Sequence, residues 1–202
     1  MSRVGAKKMS VDKASGSGKT VPNEKGKAKI EEVRKLIGSA ASNFQRECSD
    51  ESIIMYLRAK NWNAKRAAKM LKETLKWRME FKPDKIRWDD VAQEAATGKL
   101  YRANYVDKHG RTVIIMRPGQ QHPSSVKDQI KCLVYCLENA IENLQNDQEQ
   151  MVWLIDFENW NMACISVKIT RETARILQDH YPERLGVAIL YNPPVDVIFQ
   201  QK

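Results

Sequence analysis

Apolar positions from Asp50 to Phe81 recur at helical spacing. Ile53, Ile54 and Leu57 follow Asp50-Glu51, a pair suited to a helix start, and Asn61-Trp62-Asn63 then interrupts the pattern. In the next segment Ala64, Ala67, Ala68, Leu71 and Leu75 share one face, while Lys65, Lys69, Lys72 and Lys76 lie on others, which predicts an amphipathic surface helix. Lys82-Pro-Asp-Lys85 breaks it, and Asp89-Asp90 opens another short helix through about Thr97-Gly98. From residue 100 the period changes. Residues 100–106 and 112–117 flank Asp107-Lys-His-Gly110, a turn-rich spacer that predicts an antiparallel hairpin. Val126, Ile130, Leu133, Val134, Leu137, Ile141 and Leu144 then mark one face of a long helix, and the apolar run Met151-Val-Trp-Leu-Ile155 follows. A last cycle runs from Ile165 through Ile169, Ile176 and Leu177 into Val187-Ala-Ile-Leu-Tyr191, a run typical of a strand covered on both faces. The pattern β-α-β-α-β has crossovers long enough for parallel strands. The prediction is an α/β sandwich with a mainly parallel sheet, preceded by a helical lobe.

His180-Tyr-Pro-Glu-Arg-Leu-Gly186 joins the last helix to the last strand. Pro182 ends the helix, Gly186 permits a sharp turn, and Asn192-Pro-Pro194 ends the strand. With 42% hydrophobic residues in 202, the chain has enough material for a real core. No apolar run approaches the roughly 18 residues of a spanning helix. The first residues carry no apolar signal core, Met1-Ser2 lacks the glycine for myristoylation, and the last four lack a prenylation cysteine, so any membrane contact is expected to be peripheral. Cys48, Cys132, Cys136 and Cys164 form no C-x-x-C pair and read as reduced packing residues. Residues 1–29 hold eight Lys or Arg against two acids, so +6 of the formal +9 sits in a segment with almost nothing to bury. That composition predicts a disordered basic tail, a solubilising leader or a source of salt-sensitive attraction to anionic surfaces.

Catalytic patterns fail on spacing. Gly16-Ser-Gly-Lys-Thr20 imitates the end of a phosphate loop, but Lys13 stands where the first glycine is required, and the pattern predicts neither the preceding strand nor the following helix that such a loop needs. Asp156 at the carboxyl end of a strand, with Ser124, Ser125 and His180, makes a nominal triad without a G-x-S-x-G elbow, so Asp156 reads as a polar loop residue. His109, His122 and His180 have no ligand spacing for a metal. Non-covalent binding is the remaining class, and no enzyme activity is expected.

Four segments in fixed order carry a resemblance. Leu57-Arg-Ala-Lys-Asn-Trp62, Asp107-Lys-His-Gly-Arg-Thr-Val113, Trp153-Leu-Ile-Asp156 and the stretch from His180 to Pro194 resemble the CRAL-TRIO family, the yeast-type phosphatidylinositol and phosphatidylcholine transfer proteins, over roughly residues 22–194. The resemblance implies a phospholipid ligand, phosphatidylinositol or phosphatidylcholine, with acyl chains in an apolar cavity between sheet and helices, and no cofactor. It implies lipid transfer or presentation by a cytoplasmic protein that touches membranes transiently, with no specific nucleic-acid partner. Carried over by motif, Lys60 after Leu-Arg-Ala and Glu183 of Tyr-Pro-Glu-Arg contribute to the inositol-phosphate headgroup site; without the resemblance both would read as solvated charges.

The resemblance also has departures. Asn61 stands where the family is often basic, and Asn159 where it commonly has glycine. The family's gating helix, further strand and second headgroup lysine do not fit into the eight residues after Pro194. The expected organisation is therefore a tail over 1–29, a helical lobe over 30–98 and a C-terminally incomplete CRAL-TRIO domain over 99–202, with 187–191 left as an exposed sheet edge. The alternative reading is an interaction or regulatory fragment that holds no lipid, and a more distant one is a basic nucleic-acid binder driven by the tail.

Overall fold

Side-chain caps set the starts of the first three helices. In the computed structural model, which describes residues 9–12, 23–120, 123–145, 147–164 and 166–194, Asn23, Ser49 and Asn63 accept hydrogen bonds from the amides of Gly26, Ser52 and Arg66. Each satisfies one of the amides that a helix start leaves without a partner. The helices are α1 (Glu24–Ile37), α2 (Asp50–Ala59) and α3 (Ala64–Phe81). Their apolar faces meet in a core where Val33, Ile53, Leu57, Ala67 and Leu71 are wholly buried. Burial of each large aliphatic side chain contributes about 1.5–3 kcal/mol, which the weak propensities of short helices could not supply. The described residues of 23–85 and 173–184 form one compact unit around this core, and those of 9–12, 86–172 and 185–194 form a second.

The second unit is built on a five-stranded sheet. After a short helix α4 (Ala92–Ala95) come β2 (Leu100–Val106), β3 (Thr112–Met116), α5 (Val126–Glu142), β4 (Met151–Asp156), α6 (Val167–His180) and β5 (Leu185–Tyr191), with β1 at Met9–Asp12. The strand order is β1-β5-β4-β3-β2. At its centre β3, β4 and β5 run parallel, joined by the helical crossovers, and an antiparallel strand closes each side. In the β2–β3 turn Asp107 accepts from the amides of His109 and Arg111, both at 2.9 Å, and from the Arg111 guanidinium. Burial pushes the Asp107 carboxyl up, but these donors outweigh it and hold it below the usual carboxylate range.

Strand alternation divides the sheet into two unlike faces. Thr112 donates to the carbonyl of Ala140 at 3.1 Å and Arg102 to Asn139 at 2.5 Å, so α5 lies on the face formed by the even positions of β2 and β3. Ala103, Val113, Ile115 and Val152 cluster on the other face, with Tyr101, Leu154, Val187 and Ile189 packed beside them but only half-buried. Cys132 and Cys136 are buried one turn apart on α5 among Val91, Ile86 and Leu100.

Several expectations are corrected. The tail over 1–29 contributes to the fold: Glu24 already begins α1, and Met9–Asp12 pairs antiparallel along β5 from Leu190 to Val187. The strand 187–191 is therefore not an edge. An unpaired strand offers a row of amides and carbonyls, and a short extended segment of the same chain satisfies them. The remainder of the tail, with the Gly16–Thr20 sequence, and the residues after Pro194 lie outside the described residues. The boundary near residue 98 also moves, because 86–98 belong to the sheet-bearing unit and 173–184 return to the helical one. Gly186 lies inside β5 rather than at a turn; Glu183, with φ of 59°, is the left-handed residue.

Candidate functional site

The open face of the sheet forms a cavity of about 660 Å³, within the usual range for small-molecule sites. Its floor comes from alternate positions of neighbouring strands: Ala103, Ile115 and Leu154 on β2, β3 and β4 line it, and Ile189 of β5 stands beside Leu154 on the same face. Its polar end lies at the carboxyl ends of the parallel strands, where open α/β sheets commonly hold ligands. Arg117 follows β3, Asp156 ends β4 and Tyr191 ends β5, and all three line the cavity. The Arg117 guanidinium lies 5.6 Å from the centre of the Tyr101 ring, and its Nε is 3.7 Å from Asp156. That long contact leaves the cation free to turn toward an anionic group. Asp156 serves its loop as well, accepting from the amide of Glu158 at 3.1 Å. Chemically the site offers an apolar patch of Ala103, Ile115 and Leu154 beside tyrosines, Asn104, Asp156, Arg102 and Arg117.

The rim depends on close backbone approach. Asn159 adopts φ of 57°, a left-handed conformation that asparagine tolerates better than most residues. Gly119 meets that turn directly: a Cβ there would sit 2.1 Å from the carbonyl oxygen of Glu158 and 2.8 Å from the carbonyl carbon of Asn159. Neither can rotate away. Gly119→Ala is expected to cost about 1–3 kcal/mol, read as a fall of several degrees in thermal melting. An unchanged Tm would mean that the two loops do not touch.

Lys60 and Glu183 both lie in the helical unit. Lys60 is the half-buried C-cap of α2, its amide bonded to the last helical carbonyls. Glu183 is half-buried and held at φ of 59°, an unusual conformation for a residue with a long side chain. Their segments meet through a buried polar network that the sequence did not reveal. Tyr56, one turn before Lys60, is hydrogen-bonded to Thr74, and Thr74 donates to the carbonyl of Asp179 at 2.9 Å and lies 3.3 Å from His180 Nδ1. Trp77 stacks on His180 at 4.3 Å and meets Tyr181 edge-on. Burial pushes the Tyr56 phenol up to about 12, although the Thr74 bond and the charges of Arg78 and Arg184 act in the other direction. His180 is held in this packing, and Ser125 is the N-cap of α5. The only sequence signal for the network was the Tyr-Pro motif itself.

Comparisons with known proteins match this architecture. The model of the CRAL/TRIO domain family matches residues 95–200. A CRAL-TRIO domain-containing protein of Schizosaccharomyces pombe is 38% identical over 145 residues, 71% of this chain and 14% of that protein. The phosphatidylinositol transfer protein PDR17 of Saccharomyces cerevisiae is 35% identical over 159 residues, covering 72% of this chain and 45% of its own length. The chain thus spans less than half the length of either relative. The crystal structure of Sfh5 superposes with a TM-score of 0.66 at 16% identity, covering 89% of this chain and 75% of that one, which is a likeness of fold.

Proposed function

As the chain belongs to the CRAL/TRIO domain family, we propose that it binds a phospholipid, phosphatidylinositol or phosphatidylcholine, with the acyl chains over the open sheet face, for transfer or presentation between membranes. The supporting observation is the cavity itself: an apolar patch of strand residues, Ala103, Ile115 and Leu154, bordered by polar residues that include Arg102 and Arg117. Each buried methylene contributes about 0.8 kcal/mol, so acyl chains supply a drive that a water-filled apolar face lacks. No helix among the described residues is long and apolar enough to cross a membrane. The protein meets membranes at their surface, from the cytosol, and exchanges lipid there without catalysis and without a cofactor.

Lys60 and Glu183 contribute to holding the inositol headgroup. Strained backbone conformations such as that of Glu183 cluster at ligand sites, because the surrounding structure must offset them. The test is lipid extraction and mass spectrometry of the purified protein. Lys60→Ala with Glu183→Gln should lower phosphatidylinositol loading roughly tenfold or more, the loss of about one charge-assisted hydrogen bond, and spare phosphatidylcholine. An equal fall in both lipids would withdraw the headgroup assignment. A parent chain that carries no lipid at all would favour an interaction fragment.

A further inference from the structure

The loop between α2 and α3 holds a bulky aromatic residue in a costly conformation and leaves it in water. Trp62 donates its amide to the carbonyl of Leu57, and Asn61 donates to that of Arg58, the pair of bonds that closes a Schellman helix end. Asn61 has φ of 50°, as such ends require, but Trp62 also has φ of 59°. For a residue of that size a left-handed backbone is a real outlier. The strain is not offset by full burial, since Trp62 remains 41% exposed.

A line of cations starts at the same point. Lys65, Lys69, Lys72 and Lys76 are all exposed and fall within a narrow angular sector of α3, a ridge roughly 16 Å long at 1.5 Å per residue. Glu73 and Glu80 reach Lys69 and Lys76 only at 4.0 and 3.9 Å, and among the described residues Lys65 and Lys72 make no ion pair. Met79, 56% exposed, stands near the far end of the helix. Lysines are compact charges on flexible stems, without the planar fork that reads a fixed phosphate, and tryptophan prefers the boundary between lipid headgroups and acyl chains. We propose that the α3 lysine ridge, with Trp62 as its anchor, is the surface that docks this protein on an anionic lipid bilayer.

This deepens the lipid-carrier reading by naming where the carrier touches the membrane. It is tested on the full chain by co-sedimentation with phosphatidylcholine vesicles, with and without phosphatidylserine. Lys65→Gln with Lys72→Gln should weaken binding to the anionic vesicles about thirtyfold, roughly fivefold for each cation near a charged surface. Trp62→Gly should weaken it severalfold while holding or raising the melting temperature, because glycine adopts that backbone freely. Lipid content of the purified variants should match the parent. Unchanged vesicle affinity in the lysine pair would overturn the proposal and assign the attraction to the basic segment before residue 30. Loss of melting temperature in Trp62→Gly without loss of vesicle binding would make Trp62 a packing residue and overturn its part. An equal thirtyfold loss for a single-stranded oligonucleotide would overturn the choice of a bilayer as the partner. If the parent carries no lipid but the ridge variants still lose vesicles, the docking surface stands and the carrier reading falls.

Discussion

Leu154→Glu is expected to yield a folded protein that carries almost no lipid. Leu154 lines the cavity beside Ile115, lies in register between Ile115 and Ile189 on that sheet face, and is only half-buried. In the lipid-free protein a glutamate there still reaches water across the open face, so the cost to folding is on the order of 1 kcal/mol. With acyl chains laid over it, the same carboxylate loses its hydration without a partner, at several kcal/mol. Lipid content by mass spectrometry should fall roughly a hundredfold or more, while Tm changes by only a few degrees. Leu154→Gln, uncharged, covers the case in which the carboxylate disturbs the sheet and should lose lipid to a lesser degree. Full lipid content in both variants would remove the acyl chains from this face and leave the cavity without its proposed occupant.

Replacing Arg78 is expected to produce the largest loss of stability. Its side chain is only 4% exposed, yet it reaches Glu47 at 3.2 Å and also pairs with Asp84. It thereby ties α3 to the segment before α2 and to the turn at Pro83–Lys85. Glu47 is 15% exposed at its side chain, so removing the arginine leaves a largely desolvated carboxylate beside the half-exposed Arg46 at 3.2 Å. Breaking a buried pair from one side costs about 3–5 kcal/mol. Arg78→Met should therefore lower Tm by roughly 10 °C at about 2–4 °C per kcal/mol for a chain of this size. Adding Glu47→Gln should recover part of the loss, because the unpaired charge is gone. A fall of no more than a degree or two would mean that water screens the pair as it does at a surface.

The helical unit was legible because its signals are local. The apolar face of α3, its lysines and its end at Lys82 follow from spacing within three or four residues, and the structure buries and exposes those positions accordingly. The same holds for the hairpin around Asp107 and for α5, whose starts and stops are written in adjacent residues. Continuous apolar runs correctly gave the three central strands, but a run that is apolar on both sides does not state what covers each side. α5 packs on one face, while Leu154, Val187 and Ile189 on the other remain half-buried.

The sequence by itself determined the element order from α2 to β5, the family resemblance and the candidates Lys60 and Glu183, all of which rest on short-range pattern or motif. Only the tertiary structure decided that Met9–Asp12 closes the sheet beside β5, that the segment around His180 packs onto Tyr56, Thr74 and Trp77, and that Arg117 stands beside Asp156 and Tyr101. A four-residue strand is too short to show a period, and a buried polar contact between residues a hundred positions apart leaves no mark on the spacing near either one. Those pairings are settled by which amides, carbonyls and charges remain unsatisfied when the elements pack, a condition that exists only in three dimensions.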